Sequence, residues 1–225
     1  MEKVRASVPF DKEYFKKQAN EGKQLSTKDT FSFIYKENHW AGDKSISGAG
    51  SDFTQTEEIR KQLEALIKEL NIKTFLDLPC GDFNWMSSIN LDIEKYIGAD
   101  IVPELVANNK QTYENAKRTF LHLDLIKDKL PDADIIFCRD CLVHLSNEDI
   151  QKALLNIFSS NIKYLLTTTF TDCEKNENII TGDWRVINLQ KPPFELPGLV
   201  SIINERCTEG NGTYSDKSLG LWKIN

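Results

Sequence analysis

The stretch Phe75-Leu76-Asp77-Leu78-Pro79-Cys80-Gly81-Asp82-Phe83-Asn84-Trp85 decides how the chain is read. A short apolar run that ends in an acid and then turns at Gly81 reads as a strand carrying its carboxyl end to a ligand, because glycine lets the backbone approach closely. Upstream, Ile59, Leu63, Leu66, Ile67 and Leu70 recur at helical spacing and predict a helix over 56–70, with Thr56 as its N-cap and Glu57 and Glu58 in its first turn. Downstream, β-like runs at 74–78, 96–100, 119–123, 135–138 and 163–170 alternate with helical patterns. One helical pattern covers 103–116 and opens on Pro103; the other is the stripe Ile150, Ala153, Leu154, Ile157 and Phe158, preceded by a capping box at Ser146 and Asp149. Strands separated by helices predict a mainly parallel sheet covered on both faces. Runs at 199–205 and 218–224, joined by a turn-rich segment with no helical pattern, add a terminal antiparallel hairpin.

Residues 1–53 are polar and irregular, with short helical patterns at 11–19 and 30–35, and they end in Ser45–Ser51 (SISGAGS), flexible by composition. The expected division is a cap or lid over 1–55 and a main domain over 56–225. A chain of 225 residues with 40% apolar and 28% charged content has material for a real core, which excludes a disordered or fibrous protein. No apolar run approaches the ~20 residues that span a bilayer, and residues 1–10 lack the apolar core of a secretory signal. Five cysteines, an odd number, speak for reduced thiols, so a cytoplasmic location is expected. The net charge of −6, with no basic cluster, argues against a nucleic-acid partner. Oligomeric state leaves no mark in the sequence.

In a doubly wound sheet, ligands lie beyond the carboxyl ends of the strands. The second strand ends at Gly98-Ala99-Asp100-Ile101, which places a carboxylate roughly 20 residues past the first turn, where it can accept both hydroxyls of an adenosine ribose. The third leads to Leu123-Asp124-Leu125, where Asp124 can accept from an adenine amino group. A dinucleotide site needs G-x-G-x-x-G to admit a pyrophosphate, and only Gly81 stands here. The groove therefore suits a nucleoside ligand without phosphates.

On these residues the chain resembles class I S-adenosylmethionine-dependent methyltransferases over roughly residues 56–225. The match lies in Asp77 to Gly81, Asp100, Asp124 and the segment Phe137 to Leu145. More narrowly, His39-Trp40, Ser47 to Ser51, Asp77 to Trp85 and Arg139-Asp140-Cys141-Leu142-Val143-His144-Leu145 resemble a small bacterial subgroup associated with surface-glycan or capsule biosynthesis. The usual first motif carries more glycines; Pro79 and Cys80 stand in its turn here. The resemblance implies a Rossmann-like, doubly wound, mainly parallel seven-stranded sheet with a C-terminal antiparallel hairpin and a helical N-terminal cap. It further implies S-adenosylmethionine as cofactor and S-adenosylhomocysteine as product. Asp77, Leu78, Pro79 and Gly81 would hold the amino-acid end, Asp100 the ribose, Ile101 the adenine face, and Asp124 with Leu125 the adenine edge. Ser47, Gly48, Gly50 and Ser51 would close over the cofactor, or serve only as linker.

Methyl transfer is an in-line displacement, so much of the acceleration comes from alignment. The acceptor is expected to be small or glycan-linked, attacking through an oxygen of a sugar-hydroxyl or phosphate type. His144, one of three histidines, is the candidate general base. Asp140 would orient it or bind the acceptor, and Arg139 would pair with an acceptor anion or with a carboxylate of the fold. Trp184, Arg185, Asn188 and Phe194 are expected to form a lid or acceptor wall. The alternatives are a nitrogen methyltransferase acting on an amino sugar or small amine, and a non-catalytic nucleoside-binding scaffold. The pair Cys138 and Cys141 forms C-x-x-C, but no second pair completes a zinc site. Asp140 and Asp172 alone are a weak Mg²⁺ signal, and no metal is expected.

Overall fold

Successive residues of the central strands point to opposite faces, and each face is filled by a different part of the chain. Phe75, Ile135 and Phe137 pack with Ile59, Leu63 and Ile67, whereas Leu76, Ile136 and Cys138 pack with Ile150, Ala153, Leu154 and Ile157. Burying each large side chain of this kind contributes roughly 1.5–3 kcal/mol.

The computed structural model describes Arg5 and residues 7–225. Its strands are β1 Thr74–Asp77, β2 Lys95–Asp100, β3 Arg118–His122, β4 Ile135–Cys138, β5 Tyr164–Phe170, β6 Ser201–Asn204 and β7 Lys217–Lys223. Its helices are α1 Tyr14–Asn20, α2 Thr27–Lys36, α3 Glu57–Glu69, α4 Pro103–Tyr113 and α5 Asn147–Phe158. Single helical turns lie at Ala49–Ser51, Met86–Ser88 and Leu142–His144, and Glu209–Gly212 is a turn with Gly210 and Asn211 in the left-handed region. All the strands form one seven-stranded sheet in the order β3-β2-β1-β4-β5-β7-β6. β1 to β5 run parallel, and β7 lies antiparallel between β5 and β6. This is the Rossmann-like arrangement with the expected terminal antiparallel pair. No helix among the described residues is long and apolar enough to cross a membrane.

The expected alternation of strand and helix fails at two crossovers. Residues 78–94, between β1 and β2, hold only the single turn Met86–Ser88, and buried Phe83, Trp85, Met86 and Ile89 fill the space a helix would take. Between β3 and β4, buried Leu125, Leu130 and Ala133 do the same without a helix. Helix ends also differ in detail. Ser146 accepts a hydrogen bond from the Asp149 amide and caps α5, but the Asp149 carboxylate accepts from Thr181 rather than completing the box. Thr56 stands at the N-cap of α3 as expected, but its side chain makes no capping bond; fully buried, its hydroxyl donates to the Asp52 carbonyl at 3.0 Å.

Gly98 pairs with Phe120 across β2 and β3, and a Cβ at Gly98 would come within 2.6 Å of the Phe120 ring. Overpacking of this kind costs roughly 1–3 kcal/mol. Gly98→Ala is expected to lose stability on that scale in urea unfolding, and adding Phe120→Leu is expected to restore part of it.

Candidate active site

The carboxyl ends of β1 and β4 lie side by side where the strand order reverses, which is where a doubly wound sheet opens a crevice. A groove of about 900 Å³, counted to its open mouth, occupies this place. Asp77, Pro79, Cys80, Gly81 and Asp82 line it from the turn after β1, Asp100 and Ile101 from the end of β2, and Arg139, Asp140 and Cys141 from the end of β4. The N-terminal segment supplies the opposite wall with Phe31, Tyr35, Trp40, Ile46, Ser47 and Ser51.

Backbone geometry sets the two deepest acids. Asp100 accepts from the Gly81 amide at 3.1 Å and from the Val102 amide at 2.9 Å, one bond on each oxygen, which leaves lone pairs for a ligand. Burial lifts its pKa to about 6, with the two amides pulling the other way. Asp77 accepts from the Tyr96 hydroxyl, and burial lifts it to about 8. Gly81 has φ +53°, and any Cβ there would collide with the Ser47 hydroxyl. Its carbonyl is fixed by Asn109 at 2.8 Å. The segment 45–51, flexible by composition, is pinned: Ser45 donates to the Asp82 carboxylate at 2.7 Å, and the Ser47 hydroxyl accepts from the Asp82 amide at 3.2 Å.

Asp124 and Leu125 lie on a side cavity that shares Phe31, Pro79, Ile101 and Cys141 with the main groove. Asp124 accepts there from the Ile126 amide at 2.9 Å. Leu78 lines this cavity too, rather than the main groove.

A second cavity, of about 690 Å³, adjoins the first and shares Trp40, Ser47 and Asp140 with it. Gly48 and Gly50 line this cavity and not the groove, because the turn Ala49–Ser51 carries the chain across the partition between them. Phe10, Phe170, Trp184 and Tyr214 form aromatic walls, and Asp140, His144, Glu209 and Lys217 supply the polar groups. His144 Nδ1 lies 3.0 Å from the Asp183 carbonyl; a carbonyl only accepts, so Nδ1 carries the proton and Nε2 keeps its lone pair. Burial lowers the His144 pKa to about 4, so the ring is neutral at pH 7.

Between the cavities and the C-terminal hairpin runs a buried charge network. Arg139 pairs with Glu205 at 2.8 Å and with Asp140 at 3.3 Å, and it also donates to the Gly50 carbonyl. Lys217 pairs with Asp140 at 2.7 Å and with Glu205 at 3.6 Å. Burial pushes Asp140 upward, but Arg139 and Lys217 hold it down at about 2. Of the two roles open to Arg139, the geometry gives it a carboxylate of the fold. The two cations also occupy Asp140 where a metal would have to bind, and among the described residues no cluster of three or more His, Cys, Asp or Glu could hold one.

Of the four residues expected to form a lid or acceptor wall, only Trp184 lines the second cavity. Arg185 is buried and donates to the Leu142 and Leu145 carbonyls at 2.7 and 2.6 Å, fixing the turn that bears His144. Asn188 bonds to Asn176, and Phe194 packs against the core. Cys138 and Cys141 are free thiols, and contact with Cys138 together with burial pushes Cys141 upward, away from the reactive thiolate. Phe31, Glu205, Glu209, Tyr214 and Lys217 gave no motif; the one available signal was a lysine opening the apolar run of β7.

The groove fits a cationic nucleoside better than a nucleotide. Asp82, Asp100 and Asp140 line it, while Arg139, the cation lining it, is already paired with Glu205. Residues 75–160 match the methyltransferase domain family. The N-methyltransferase NodS of Bradyrhizobium japonicum WM9 superposes with a TM-score of 0.58 at 11% identity, over 78% of this chain and 98% of that one. Human N-acetylserotonin methyltransferase, in complex with SAM, gives 0.59 at 14% identity over 92% and 62%. At such identities the likeness is one of fold. No curated protein sequence matches the chain. Fold, groove and domain match together support one class, the S-adenosylmethionine-dependent methyltransferases, with the methyltransferase domain itself matched over residues 75–160.

Removing one partner of a buried charge pair leaves the others uncompensated, at a cost of roughly 3–5 kcal/mol. Glu205→Ala leaves two buried cations, Arg139 and Lys217, to Asp140 alone, so a loss on that scale is expected in urea unfolding, against a small effect for the exposed Glu57→Ala.

Proposed function

We propose that the enzyme methylates a hydroxyl oxygen of a small or glycan-linked acceptor held in the second cavity. The observation that carries this reading is the meeting of two cavities at Trp40, Ser47 and Asp140, with a neutral imidazole lining only the second. The cofactor supplies an electrophilic methyl on a sulfonium. Asp100 accepts from the ribose hydroxyls, Ile101 lies against the adenine, and Asp124 with Leu125 lies at its edge. Asp77, Pro79 and Gly81 hold the amino-acid end, with Ser47 and Ser51 closing over it from the cap formed by residues 1–55, while Leu78 lines the side cavity beside Asp124. Gly48 and Gly50 serve the acceptor side. His144 takes the hydroxyl proton at Nε2 as the oxygen attacks, while Nδ1 stays on the Asp183 carbonyl. Asp140 carries negative charge beside the departing positive charge, and Arg139 holds it there.

A hydroxyl fits better than a phosphate oxygen, because Asp140 and Glu209 line the second cavity against a single Lys217 that Asp140 already holds. The net charge of −6 supports a small or glycan-linked acceptor over a nucleic acid. The association with surface-glycan biosynthesis and the cytoplasmic location belong to this proposal.

Ribose hydroxyls need an ionised acceptor, and protonation of Asp100 as pH falls through about 6 removes one. S-adenosylhomocysteine binding, followed by calorimetry, is therefore expected to weaken below that pH. Asp100→Asn is expected to bind about 10- to 100-fold more weakly and to lose this dependence, the scale of hydrogen bonds to a charged group. A wild-type affinity in Asp100→Asn would contradict the groove as drawn.

Transfer of labelled methyl from S-adenosylmethionine into fractionated cell extract tests the acceptor. Label is expected in a neutral glycan or sugar fraction, and His144→Gln is expected to lower the rate by roughly 100-fold or more. Full activity in His144→Gln, with label in an amine, would favour nitrogen transfer, since a neutral amine attacks without losing a proton first. Binding without any transfer would favour a scaffold.

A further inference from the structure

Trp40 has no part in the chemistry above, yet it stands at the junction of the two cavities and lines both. Its ring stacks on the His144 imidazole with centroids 4.4 Å apart and planes 28° from parallel. The indole is held from several sides. Phe31 meets it edge-on at 6.4 Å. A Cβ at Gly48, where φ is +92°, would lie 3.3 Å from the Trp40 Cβ, so the cap backbone runs directly against it. The preceding His39 packs among Phe10, Tyr14, Phe15 and Phe33, which anchors the chain at this point.

The ring is half-buried, and its indole N–H is covered and has no hydrogen-bond partner. What distinguishes the ring is its place: it covers one face of the imidazole whose edge is tied to the Asp183 carbonyl.

We propose that Trp40 is a positioning residue for His144, clamping the imidazole plane and sealing it from water so that Nε2 is presented to the acceptor beside the cofactor groove. The inference rests on the reading of the second cavity as the acceptor site. The cap thereby contributes to the reaction itself, because a base on the main domain is held by a ring from the N-terminal segment. The charged groups facing His144 are Asp140 on its own loop, Arg185 on the segment after β5 and Lys217 on β7. None of them belongs to the cap, so replacing Trp40 alters burial of the imidazole without altering its charged neighbours.

The test is an NMR titration of the histidine Cε1 protons, with His144→Gln assigning the signal among the three histidines. In the wild type His144 is expected to titrate near 4, as burial dictates. Trp40→Leu admits water to the ring and is expected to move the midpoint up toward the ordinary value of ~6.5. Trp40→Phe keeps a stacked ring and is expected to stay near the wild type. Methyl transfer is expected to fall about 100-fold in Trp40→Leu and to recover most of that loss in Trp40→Phe, as for a misplaced catalytic group.

An unmoved His144 midpoint in Trp40→Leu would overturn the proposal, and so would a midpoint in Trp40→Phe shifted to the ordinary value. If the leucine variant does not fold, Trp40→Met, which keeps bulk but no stacked ring, is read in its place by the same criterion. S-adenosylhomocysteine binding by the wild-type protein is measured alongside. Its absence would remove the functional reading, whereas retained binding with an unmoved His144 would remove the clamp alone.

Discussion

Everything at the candidate active site leans on the pairing of Arg139 and Lys217 with Asp140 and Glu205. These groups come from the ends of β4 and β6 and the start of β7, and charge is what ties the antiparallel hairpin to the point where the strand order reverses. Buried ions of this kind are expensive to desolvate and give little net stability compared with an apolar core. What the network does provide is position. Arg139 reaches the Gly50 carbonyl as well, so the strap that divides the two cavities is fastened to the same group that holds Asp140.

A second constraint follows from the turn after β1. With no regular helix in that crossover, Phe83, Trp85, Met86 and Ile89 fill the sheet face, and the turn itself is stiffened by contacts at each step. Asn109 fixes the Gly81 carbonyl, Asp100 takes its amide, and Ser47 presses where any side chain at Gly81 would stand. A turn poor in glycine can thus be held in shape from outside, by a helix, a neighbouring strand end and the N-terminal segment.

The sheet was legible because strand signals depend on local apolar runs, and β4 runs over the residues expected, Ile135–Cys138. Asp77 and Asp100 were legible for the same reason: each closes an apolar run, so its place at a strand end follows from sequence alone. The second cavity was not legible. Its walls come from Phe10, Trp40, Asp140, Trp184 and Tyr214, separated along the chain and joined only by folding. Arg185 misled in the opposite sense, since a charged residue beside Trp184 suggests a ligand contact, whereas its guanidinium is consumed by the Leu142 and Leu145 carbonyls. Ser45–Ser51 misled by composition, because hydrogen bonds to Asp82 order a segment that its residues alone would leave loose.

The central claim is that two cavities meet at Trp40, Ser47 and Asp140 and that methyl passes between them there. A crystal structure with S-adenosylhomocysteine bound tests it most directly. The account predicts the ribose on Asp100 and the thioether sulfur at that junction, facing the cavity that His144 lines. A sulfur directed away from the junction, or a ribose remote from Asp100, would contradict it.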